Sequence, residues 1–92
     1  MPIINRHVTC SNTVSKQLVG ADNMPHDVIL HNMTKSNNNY IFYGGSAVST
    51  TNAPHIDPGE TIQFTLRPGD RLFAVSDPAG LVVGVMDIRK ND

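Results

Sequence analysis

Pro58-Gly59, Pro68-Gly69 and Pro78-Ala79-Gly80 recur at ten-residue intervals through the C-terminal half of the chain. A Pro presets φ near about −65° for the first corner of a reverse turn, and a following Gly accepts the positive φ of a type II corner, so the chain must reverse at each point. The spacing leaves room only for short strands between reversals. Residues 61–66 (Thr-Ile-Gln-Phe-Thr-Leu) alternate polar with apolar, and residues 71–75 (Arg-Leu-Phe-Ala-Val) form a short apolar run. These patterns describe a half-buried strand followed by a more deeply buried one.

The rest of the chain reads the same way. No eleven-residue window keeps apolar positions at helical spacing without a Gly, Pro or Asn cluster interrupting it. Strands are expected at residues 7–11, 13–18 and 27–33, with Val28, Leu30 and Asn32 on one face of the third and Ile29, His31 and Met33 on the other. Either face could point inward. The run Ser36-Asn37-Asn38-Asn39 marks a hairpin turn into a strand at 40–43. Gly44-Gly45 then reverses into a strand at 46–50, and the last strand covers 81–88 with Gly84 as a bulge or close approach. The expected fold is all-β, a small antiparallel β-sandwich or jelly-roll-like barrel of about eight short strands. Residues 1–6 are expected as an N-terminal arm and 7–90 as one domain.

Ninety-two residues with 39% hydrophobic content, no Trp and five aromatics make a thin core, which favours packing against copies of itself or a larger partner. Seven basic and eight acidic residues give a net charge of −1, and no basic cluster exceeds Arg89-Lys90. Neither nucleic acid nor an anionic membrane is an expected partner. Cys10 stands alone, which excludes an intrachain disulfide and fits folding in a reducing cytoplasm. It reads as a small buried hydrophobe in a strand. The first residues lack the apolar core of a signal peptide, and no stretch approaches the roughly 20 apolar residues of a membrane helix.

Chemistry is hard to place on these residues. His26 and His31 differ by an odd number of positions and would face opposite ways on one strand, so no metal is expected. The Asp57-Pro58-Gly59-Glu60 corner has a superficial likeness to the Pro-Gly turn of cupins, but their His-x-His pair is absent. No Gly-x-Ser-x-Gly elbow supports a hydrolase, and Gly44-Gly45 lacks the Lys-Ser/Thr tail of a phosphate loop. No enzyme activity and no cofactor are expected. Asp57 and Glu60 read as solvated turn residues. Tyr40 and Tyr43 are the two aromatics that could offer a sugar a stacking face, and core or interface positions are the plainer reading.

The order of signals from Val28 to Ile88 is distinctive: Leu30-His31-Asn32, then Tyr40-Ile41-Phe42-Tyr43-Gly44-Gly45, then Val48-Ser49-Thr50-Thr51-Asn52, then Asp57-Pro58-Gly59-Glu60, then Gly69-Asp70-Arg71-Leu72-Phe73-Ala74-Val75. Over roughly two thirds of the chain it resembles small virion proteins of tailed bacteriophages. The resemblance implies a capsid decoration, or cement, protein that binds the major capsid protein on the outside of the head and stabilises it. It implies a homo-oligomer, a trimer where it sits on local threefold points, made in the host cytoplasm and carried on the virion surface. Ile3, Ile4, Arg6, Tyr40 and Tyr43 are the candidate capsid or subunit contacts. The alternative within the resemblance is a receptor- or glycan-binding head-fibre or tail module.

Overall fold

A computed structural model describes residues 3–20 and 23–89. Eight strands form in chain order: β1 (Ile3–Thr9), β2 (Lys16–Val19), β3 (His26–Asn32), β4 (Tyr40–Gly44), β5 (His55–Ile56), β6 (Thr61–Leu66), β7 (Leu72–Asp77) and β8 (Val82–Arg89). They make two four-stranded sheets, in the orders β1-β8-β3-β6 and β2-β7-β4-β5, with every pairing antiparallel. The first strand pairs with the last, the second with the seventh, and so inward to β4 with β5. The chain is thus one long hairpin doubled back near residues 45–54 and rolled into a sandwich, the jelly-roll winding.

The beat seen in sequence is carried by a device used twice. The Asp57 carbonyl accepts from Glu60 N–H at 3.0 Å, and the Asp57 N–H donates to Glu60 Oε1 at 3.0 Å. Ten residues on, the Arg67 carbonyl accepts from Asp70 N–H at 3.1 Å, and Arg67 N–H donates to Asp70 Oδ2 at 3.2 Å. Gly59 and Gly69 have φ of 76° and 87°, the left-handed corner that the Pro-Gly pairs anticipate. The acidic residue after each Gly is therefore part of the turn. Glu60 is not merely solvated.

Register sets the faces. In the first sheet Val28, Leu30, Val83, Val85, Ile62 and Phe64 point inward, where they meet Leu18, Ile41, Ile56, Leu72 and Ala74 from the second. Asn32 also points inward and is fully buried. Its Nδ2 donates to the carbonyls of Asn39 and Ile56, both at 2.9 Å, and its Oδ1 accepts from Thr34 N–H at 3.1 Å and Thr34 Oγ1 at 2.7 Å. Its backbone N–H donates to Glu60 O and its carbonyl accepts from Gly59 N–H. One side chain thus joins β3 of the first sheet to β5 of the second and to the loop entering β4.

Two expectations change. The arm expected over residues 1–6 is strand from Ile3 onward, because Ile3 to Arg6 pair in register with Ile88 to Val85; residues 1 and 2 lie outside the described residues. The strand expected at 46–50 is instead a loop, in which Asn52 Oδ1 accepts from Ser49 N–H at 2.8 Å and Asn52 Nδ2 donates to Ala47 O at 3.1 Å. Such side-chain bonds satisfy the backbone without a ladder.

Replacing Asn32 with Ala strips two carbonyls and two Thr34 donors of their partner at a buried site. At roughly 1–3 kcal/mol for each buried group left unsatisfied, partly offset by water entry, the expected loss is about 3 kcal/mol in urea denaturation. A loss below about 1 kcal/mol would show that the tie is dispensable.

Candidate functional site

The five sequence candidates separate. Ile3 stands outward on the edge strand β1, while Ile4 and Arg6 share the inner side with their partners Asp87 and Val85 at the sheet rim. Ile3 and Ile4 remain exposed and Arg6 is half-buried. Tyr43 points inward, pairs with Ala74 and stacks on Phe64 with ring centroids 5.8 Å apart, so it belongs to the core margin. Tyr40 points out from the second sheet on the other side of β4. Ile3, Ile4 and Arg6 share β1 but stand on opposite faces of its sheet, and Tyr40 lies apart from them on the other sheet.

Outward rows on the first sheet follow from its pairings. Ile3, Ile88, Asp27 and Thr65 form one row; Asn5, Met86, Ile29 and Gln63 the next; His7, Gly84, His31 and Thr61 the third. Gly84 has no side chain to fill the middle of its row, and Met33 lies over it, its Sδ 3.4 Å from where a Cβ would stand. A shallow depression of about 320 Å³ results, bordered by His7, Ile29, His31, Met33 and Met86. Among the exposed large hydrophobics, Ile3, Met33 and Met86 lie on this face and Ile4 on its edge strand, whereas Val14 lies elsewhere. The concentration was not visible in the sequence, because it needs the inward face of β3 to be known.

The second sheet shows aromatics on its outside. Tyr40, Phe42 and Phe73 share that side with His55 and with Val75, the cross-strand partner of Phe42, which is buried although it lies outside the inter-sheet core. The Tyr40 and His55 rings meet edge to face at 4.9 Å, and Phe42 lies 5.6 Å from His55. His55 Nε2 is 3.1 Å from Asp57 Oδ1.

The histidines are dispersed. His26 is buried with its Nδ1 2.5 Å from Asp87 Oδ1, His31 Nδ1 is bonded to Thr61 Oγ1 at 2.8 Å, and His55 serves the aromatic side of the other sheet. Among the described residues no three His, Cys, Asp or Glu side chains are grouped to hold a metal ion. No helix of the described chain is long and apolar enough to cross a membrane.

With this geometry, the chain is similar in fold to a protein of the Bacillus endospore appendages, described as a novel family of disulfide-linked pili. The TM-score is 0.61 at 14% identity, over 98% of this chain and 85% of that one. No protein-family model matches the sequence, and no curated protein matches it either. What the likeness establishes is the class of fold, a small all-β sandwich of two antiparallel sheets.

Cys10 follows β1 and is buried in the core; its N–H donates to Leu81 O and its carbonyl accepts from Gly80 N–H, both at 2.8 Å. Burial pushes its thiol from 9.0 up to about 11. A raised pKa favours the protonated form in the folded state, so its contribution to stability is complete below about pH 9 and is lost as pH rises through about 11. The expected loss, on the order of 2–3 kcal/mol, is read as the difference between the parent and Cys10→Ala in denaturation curves across that window. Identical pH dependence in the two proteins would contradict it.

Proposed function

We propose that the chain is a non-catalytic structural module of a tailed-bacteriophage virion, a decoration protein seated on the major capsid protein through the outer face of the β1-β8-β3-β6 sheet. The observation that carries this reading is the gathering of the exposed Ile3, Met33 and Met86, with Ile29 and Ile88 between them, on the outer face of the first sheet. Patches of this kind, rimmed by polar groups such as Asn5, His7, His31 and Gln63, mark protein contact surfaces. The capsid as partner rests on the resemblance of the order of sequence signals to that of phage virion proteins. A cement protein needs a rigid domain with an adhesive face rather than a catalytic centre. Three copies around a local threefold point would bring the same face of each onto the lattice.

The endospore pilus likeness favours a second reading, a subunit of a surface filament. The linkage would have to differ. One cysteine per chain can join copies only in pairs, and Cys10 is buried, so a disulfide-linked polymer of this chain alone cannot form.

Deleting residues 1–6 is a poor test of the docking reading, since it removes half of β1 from the sheet. Met86→Asp changes the face and spares the core. Mixed with undecorated capsids and sedimented, this variant is expected to show about tenfold weaker occupancy than the parent, with Val14→Asp as an unaffected control. Unchanged binding of Met86→Asp, or no binding by the parent at any capsid maturation stage, would overturn the proposal.

A further inference from the structure

The loop entering β4 and the first Pro-Gly turn border an open polar groove of about 560 Å³, lined by the exposed Lys35, Asn37, Asn38 and Asp57 and the half-buried Tyr40 and Pro58. It shares no lining residue with the depression at Gly84. The size falls within the roughly 300–1,000 Å³ of small-molecule sites. Both walls hang from one anchor, because the Asn32 amide that bonds Asn39 O on the loop side also bonds Ile56 O next to Asp57. Asn38 holds φ at 65°, a conformation that Asn tolerates better than most residues and that sets the loop's course here.

The lining chemistry selects the ligand class. Asp57 gives one oxygen to His55 and keeps Oδ2 as an acceptor for hydroxyl groups. Asn37 and Asn38 each bring an amide with donors and acceptors. Tyr40, its ring set against His55, is the aromatic surface on which the C–H side of a sugar can lie. Lys35 and Asp57 carry opposite charges, so the lining has no net charge to select an ion. An apolar ligand would bury several polar groups without partners.

We infer that this groove binds neutral carbohydrate, one pyranose ring packed on Tyr40 with its hydroxyls bonded by Asp57, Asn37 and Asn38. The site goes beyond lattice docking and gives the domain a second, separate surface with a soluble ligand.

The test is an amide NMR titration of the whole chain with the methyl glycosides of glucose, galactose and mannose and with N-acetylglucosamine. Inorganic phosphate and N-acetylneuraminic acid serve as anionic probes. For at least one neutral sugar, shifts are expected at residues 35–40 and 55–58 with half-saturation on the order of 1–10 mM. Asp57→Asn, at an exposed position, should weaken that binding about fivefold or more while leaving the melting curve in place. Tyr40→Ala should abolish it, and where Tyr40→Ala proves unfolded, Asp57→Asn decides. No localised shift with any neutral sugar up to about 50 mM, binding of the anionic probes only, or parent-like affinity in Asp57→Asn would each overturn the inference.

Discussion

One buried amide ties the two halves of this sandwich together. A rolled hairpin has its sheets joined covalently only by loops, and hydrophobic contact between their inner faces is non-directional. The Asn32 side chain adds direction: from β3 it reaches the carbonyls of Ile56 and Asn39 while its own backbone engages the turn at Gly59 and Glu60. A polar group buried this completely is tolerable only with its bonds made, so alternative sheet registers would leave it unsatisfied. The thin core around Leu30, Ile41 and Ile56 thereby acquires a unique arrangement.

The strands bounded by Pro-Gly turns were legible because Pro and Gly act locally, and the all-β class followed from them. Asn32 was legible as a residue on one face of its strand but not as a tie, since its partners at Ile56 and Asn39 depend on how the second sheet closes over the first. The segment around Val48 and Thr50 has strand-like composition, yet Asn52 satisfies the local backbone and leaves a loop at the fold's midpoint. Ile3 and Ile4 looked like a sticky arm because nothing in their own sequence identifies β8 as partner. Strand alternation puts Tyr40 and Tyr43 on opposite faces, and only the closed sandwich decides that Tyr43 is the inward one.

Architecture and function divide along the same line. The inner faces and turn bonds are spent on making a small domain rigid, including the buried His26–Asp87 pair and the sealed Cys10. What is left for recognition lies outside: an apolar side centred on Met86 and Gly84, and a polar groove beside Tyr40. Gly84 matters to the first, because it leaves the middle of its row unfilled and Met33 packs over it at contact distance. The proposed role as a virion module depends on the apolar side. It requires no chemistry from the histidines, which the fold disperses.

Electron cryomicroscopy of capsids reassembled with the purified protein tests that central claim most directly. The account predicts density for the sandwich on the outer capsid surface with the β1-β8-β3-β6 sheet turned toward the major capsid protein and Met86 within the contact. Density showing the aromatic β2-β7-β4-β5 side against the capsid, or reconstructions with no added density under saturating protein, would contradict it.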